Sequence, residues 1–190
     1  MLKQREEDLR ISLARIFTRP TRFVGEIGCG HGHFLVAYSQ AHPGSVCVGI
    51  DIDRDRITRA SRKQARAKSP ELHFLQADAA LFLKALPAGS SLDRLFILFP
   101  DPWPKLRHHK NRLIQSSFLD EVLQRSSGDT RLYFRTDHAA YFEAARRVIQ
   151  RHQGWELADE PWPFEYETVF QSRAASHQSL IAKPRQSTAS

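Results

Sequence analysis

Cysteine is nearly absent from this chain. Cys29 and Cys47 are its only two, each inside an apolar or glycine-rich segment. Two cannot build the disulfide framework of a small secreted domain, and they lack the paired spacing of a zinc site. The expectation is a pair of buried free thiols and no metal. Long hydrophobic runs are missing as well: nothing approaches the roughly 20 apolar residues that span a bilayer. The opening "MLKQREEDLR" is charged and lacks the apolar core of a signal peptide, so the expected location is the cytoplasm. Acidic residues are outnumbered, 21 against 28 lysines and arginines, leaving a formal net charge of +7. That excess favours a polyanionic partner, because each cation that meets a phosphate releases condensed counterions.

What the chain does contain is alternation. Its 190 residues suit one domain with a substantial core. Short runs rich in β-branched and aromatic residues read as strands: Arg22 to Ile27, Ser45 to Ile50, Leu72 to Leu75, Leu92 to Phe99 and Thr130 to Thr136. Between and after them, residues 33–41, 54–68, 79–86, 118–127 and 138–152 carry helical spacing. This order predicts an α/β fold, a doubly wound, mostly parallel sheet with helices on both faces. The predicted division is a helical lead-in over 1–20, one domain over 21–183 and a polar tail over 184–190.

Chemistry concentrates where the predicted strands end. "EIGCGHG" places Gly28, Gly30 and Gly32 between the first strand and a helix, where glycine lets the backbone turn and approach a ligand. The third glycine of a dinucleotide fingerprint would fall on His33, which argues against NAD or FAD. Glu26, two residues before Gly28, would repel a pyrophosphate and suits a cationic ligand. Asp51, ending the second strand in "GIDID", can accept from both hydroxyls of a ribose. Asp78, after the third strand, can accept from an adenine amino group, or it can cap the following helix.

The fourth strand runs into "FPDPWPKLRHHKNRL". Residues before proline are steered out of the helical region, so Pro102 and Pro104 are expected to hold Asp101 and Trp103 extended. A fixed carboxylate beside an aromatic ring can grip a flat heterocycle by its edge and face. Lys105, Arg107, Lys110 and Arg112 follow, a cationic run suited to RNA phosphates. Arg59, Arg62 and Arg66 form a further stripe, read as a solvated helix face. Asp137, after the fifth strand, sits at the same edge or caps the helix near His138.

Taken together, "EIGCGHGHF", "GIDID", "FPDPWPKLRHHKNRL" and "RTDHAAYFE" resemble, in order and spacing, the bacterial-type tRNA (guanine-N7)-methyltransferases, over about Phe23 to Phe170. The proline-rich run is the specific part; the glycines alone say only methyltransferase. The resemblance implies the class I methyltransferase fold, with a seven-stranded sheet, and S-adenosylmethionine as cofactor. Its contacts would be Glu26, Gly28, Gly30, Gly32, Asp51, Asp78 and Asp101, with Asp101 also the catalytic residue. Lys105, Asp137, Thr168, Val169, Phe170 and Gln171 would contact substrate, and Arg107, Lys110 and Arg112 the RNA backbone. The partner would be tRNA, methylated on a guanosine of its variable loop, with no membrane and no obligatory protein partner. The chain departs from the family's T-K-F-E at residues 168–171, which read T-V-F-Q, and lacks the glycine common before the last strand. An amino-methyltransferase acting on adenine or cytosine, marked by [DN]-P-P-[YFW] at the same strand end, is a second reading. A cofactor- and RNA-binding chain without turnover is a third.

Overall fold

The computed structural model describes residues 2–166 and 176–186. Among these residues are six α-helices and seven strands: α1 (Leu2–Ile16), β1 (Thr21–Ile27), α2 (His33–Ala41), β2 (Cys47–Asp51), α3 (Arg54–Ala67), β3 (Leu72–Gln76), α4 (Ala79–Ala85), β4 (Ser90–Leu98), α5 (Ser116–Leu123), β5 (Ser126–Thr136), α6 (Ala139–Arg151), β6 (Trp155–Ala158) and β7 (Gln178–Pro184). They form one sheet in the order β3-β2-β1-β4-β5-β7-β6. The first five strands are parallel, while β7 runs antiparallel to both β5 and β6.

Both faces of the sheet are covered, which is why its central strands read as continuous apolar runs. Every residue of β2 is buried. Side chains alternate across it: Val48 and Ile50 join one core cluster and Cys47 the other. The first cluster takes Leu9, Leu13 and Phe17 of the lead-in with Phe82, Phe118, Leu119, Tyr141 and Ile149. The lead-in thus packs into the same core as the rest of the chain. The second, smaller cluster joins Phe34, Tyr38, Ile57, Phe74 and Phe96, with Trp162 and Phe164 against it. Both cysteines are buried and unpaired.

Helix starts follow local chemistry. Asp53 caps α3, its carboxylate accepting from the Asp55 and Arg56 amides at 2.8 and 3.1 Å. Lys68, with φ +51°, ends that helix in a left-handed turn. At the fifth helix the structure departs from the spacing. The predicted helix over 118–127 stops at Leu123, and Ser126 and Ser127 already belong to β5. Its apolar face is complete with Phe118, Leu119 and Val122. Beyond it, the Ser127 amide donates to the Thr130 hydroxyl, and that hydroxyl donates to the Leu92 carbonyl, tying the segment to β4 instead.

Candidate functional site

Four carboxylates sit at the carboxyl ends of four successive parallel strands, but in different environments. Glu26 is 4% exposed near the end of β1. Its Oε2 is buried with no hydrogen-bond partner among the described residues. Burial, and after it the charge of Asp51, pushes its carboxyl up to about 8. A buried acceptor left open in this way fits a cationic donor group, and a protein that binds none would gain nothing from it.

Asp51 ends β2 and is equally buried. It does more than wait for a ligand: Oδ2 accepts from the Gly30 amide at 2.9 Å and Oδ1 from the Asp53 amide at 2.9 Å. The carboxylate therefore shapes the glycine loop, a role the sequence reading missed. Gly28, Gly30 and Gly32 all have positive φ, at 75°, 54° and 71°. They do not serve alike. A Cβ on Gly32 would stand 2.5 Å from the Phe74 ring, whereas Gly28 and Gly30 face open space. Gly32 is needed for packing; the other two leave room beside Glu26 and Asp51 and need glycine for the turn.

Asp78 is exposed and caps α4, its Oδ1 accepting from the Leu81 amide at 2.9 Å. Near it lies a cavity of about 280 Å³, with Ile52, Ala77, Asp78 and Leu81 on one side and Arg5, Asp8 and Ser12 of α1 on the other. The lead-in helix thus supplies a wall of this cavity at the β3 end, which no motif announced.

The β4 end is built differently. Glu26 pairs in register with Phe96, so the edge where β4 stops adjoins the buried carboxylate of β1. The chain then leaves through Phe99 with φ +51° and Trp103 with φ +44°. Trp103 is therefore left-handed rather than extended, against the expectation from Pro104. Side chains other than glycine avoid this region, and each such residue costs roughly 1–3 kcal/mol unless its surroundings enforce it. The Trp103 ring packs edge-on to His108, 5.8 Å between centroids. His108 belongs to a short 3-10 helix, Leu106–Asn111. Asp101, Lys105, Arg107 and Lys110 are exposed. Arg112 is not. It is 5% exposed and turned inward, its Nε donating to the Pro102 carbonyl at 2.8 Å. Seated there, it is buried, unlike the other three cations that the resemblance assigned to the substrate or its backbone.

At the end of β5, Asp137 is exposed and caps nothing; His138 caps α6 instead, its Nδ1 accepting from the Tyr141 amide. Thr168, Val169, Phe170 and Gln171 lie outside the described residues. Their flanks are anchored by Arg135, a buried residue the motif reading passed over. Its guanidinium donates to both oxygens of Glu165 at 3.0 Å and to the Ser179 hydroxyl at 2.8 Å, and lies 4.1 Å over the Trp162 ring. The signal was there as an arginine inside an apolar strand, "LYFRT".

This strand order, with its glycine loop after β1 and carboxylates on successive strand ends, defines a class I methyltransferase fold. Solved structures share it at low identity. TrmN from Thermus thermophilus matches at TM-score 0.64 with 19% identity, covering 93% of this chain and 48% of that one. A variant of the 16S rRNA (adenine(1408)-N(1))-methyltransferase from Catenulisporales acidiphilia, with cosubstrate SAM, matches at 0.61 with 18% identity, covering 94% and 92%. A family model described as "Putative methyltransferase" matches residues 20–182. Among curated relatives, the tRNA (guanine-N(7)-)-methyltransferase of Brevibacillus brevis is 35% identical over 160 residues, 78% of this chain and 74% of that protein. That of Nitrosococcus oceani is 34% identical over 145 residues, 76% and 61% respectively. The chain belongs to the tRNA (guanine-N(7)-)-methyltransferase family. It spans 61% and 74% of the length of these two relatives.

Proposed function

We propose that the protein transfers a methyl group from S-adenosylmethionine to N7 of a guanosine in the variable loop of tRNA, acting in the cytoplasm. The observation that carries this reading is the shared edge of β1 and β4. There the buried, unpartnered Glu26 adjoins the strand end from which Asp101 and the exposed Lys105, Arg107 and Lys110 project.

The residues fit the cofactor. Glu26 would take its ammonium group, the turn at Gly28 and Gly30 would leave it room, Asp51 would hold the ribose, and Asp78 the adenine beside the cavity. The sulfonium supplies an electrophilic methyl group when it is bound. Guanine N7 carries a free lone pair and no proton, so no general base is required; alignment and exclusion of water are. Asp101 accepts from the guanine N1–H and exocyclic amine, orients the base, and offsets the positive charge that methylation leaves on the ring. Lys105, Arg107 and Lys110 hold the strand through its phosphates. Asp137 and residues 168–171 complete the substrate side.

The deciding experiment is transfer of labelled methyl groups to bulk unmodified tRNA, followed by nucleoside analysis. The expected product is 7-methylguanosine. N-methylated adenosine or cytidine would instead make the chain an amino-methyltransferase. Cofactor binding by calorimetry without transfer would make it a binding protein.

A further inference from the structure

Arg112 is the one strongly basic side chain of the 105–112 run that is buried. Its guanidinium lies 4.9 Å over the Tyr141 ring and spends Nε on the Pro102 carbonyl. Nη2 is buried with no hydrogen-bond partner, and the side chain forms no ion pair among the described residues. A buried cation without a counter-ion is costly and persists only where its surroundings hold it. Here they do so from two sides. The Arg112 amide donates to the His109 carbonyl, closing the 3-10 turn, and the Tyr141 hydroxyl accepts from the Ile114 amide, fixing the ring beneath it.

The carbonyl it grips lies between Asp101 and Trp103, in the stretch bounded by the left-handed Phe99 and Trp103. That stretch carries local strain, and prolines remove amides that could tie it down. The charge-assisted bond from Arg112 is therefore a main restraint on it. We propose that Arg112 is a positioning residue: it clamps the Pro102 carbonyl and so sets Asp101 and Trp103 at the angle the substrate meets, rather than touching RNA itself. The proposal rests on the reading of Asp101 as the group that orients the base.

The test compares Arg112→Ala and Arg112→Lys with wild type. The readouts are kcat, KM for tRNA, the slope of log K against log salt, and the 19F signal of Trp103 in 5-fluorotryptophan-labelled protein. In Arg112→Ala, kcat should fall about 100-fold, as for a misplacement of about 1 Å, while tRNA affinity and salt slope stay as in wild type. Arg112→Lys keeps charge and one donor and should recover part of kcat. Should the alanine variant not fold, the lysine variant decides by the same readouts, with kcat below wild type and tRNA affinity and salt slope kept. The Trp103 signal should shift or broaden in both variants while that of the buried Trp155 does not. Unchanged kcat with an unchanged Trp103 signal overturns the proposal. So does a loss of tRNA affinity with a salt slope reduced by about 1, the signature of a phosphate contact. If wild-type protein methylates no tRNA, the proposed function fails, and the Trp103 signal alone then decides whether Arg112 positions the loop.

Discussion

The two ends of the site achieve order by opposite means. Under β1 and β2 the carboxylates of Glu26 and Asp51 are buried, and Asp51 is bonded to the backbone it shapes, so this end is ordered without any ligand. Past β4, Asp101 and the cations after it are exposed, on a segment held by two left-handed residues and one buried arginine. A small cationic cofactor rewards a rigid, dry acceptor, since its charge is worth more out of water. A long, hydrated polyanion rewards accessible charge on a short loop, whose phosphate contacts form without burying the chain.

If the exposed end carries the chemistry, the largest effect belongs to Asp101. Asp101→Ala should lower kcat by about 10²- to 10³-fold, the scale of removing one aligned electrostatic group. S-adenosylmethionine affinity, measured by calorimetry, should fall far less, because Glu26 and Asp51 remain. Near wild-type turnover at saturating tRNA would remove Asp101 from the mechanism and erase the contrast.

The buried end makes a prediction of a different kind, in protons. The folded state holds a proton on Glu26 up to about pH 8, while an unfolded chain releases it near the ordinary 4.5. Raising pH through that window therefore lowers the stability of the ligand-free protein. A cofactor ammonium restores the charged form, so binding below about pH 8 should release a proton and tighten as pH rises toward 8. Calorimetry in buffers of differing ionisation enthalpy measures that release. Glu26→Gln should abolish it and weaken binding about 100-fold, as for a buried pair losing one member. Proton release that survives the substitution would place the ammonium elsewhere.

The same contrast decided what could be read from sequence. Strand ends were legible because parallel strands buried on both faces read as apolar runs, and a carboxylate or glycine stops such a run visibly, as at Gly28 after β1 and Asp51 at the end of β2. Element types came from periodicity; the end of α5 did not, because the Thr130 hydroxyl that receives the Ser127 amide is itself tied to Leu92 of β4, a tertiary contact. The cationic run was harder. Arg107, Lys110 and Arg112 are equivalent as letters, and only the fold shows that Arg112 turns toward Tyr141 while the other two face solvent. The pre-proline rule failed at Trp103, whose ring packs on His108 and whose neighbouring Pro102 carbonyl is bonded by Arg112. Arg135 and the α1 wall of the cavity are likewise products of packing between distant segments.

The smallest effect should come from the exposed cations taken singly. Lys105, Arg107 and Lys110 form no ion pair among the described residues, so losing one leaves no buried partner stranded. Each alanine substitution should weaken tRNA binding several-fold at low salt, reduce the salt slope by about 0.7–0.9, and leave kcat and thermal stability nearly unchanged. Arg112→Ala supplies the internal control, since the same charge is removed from the same eight residues with the opposite expectation, kcat lost and slope kept. Should the exposed substitutions cost kcat instead, the loop would be acting as one unit. The division into a fixed carboxylate and a solvated grip would then not hold.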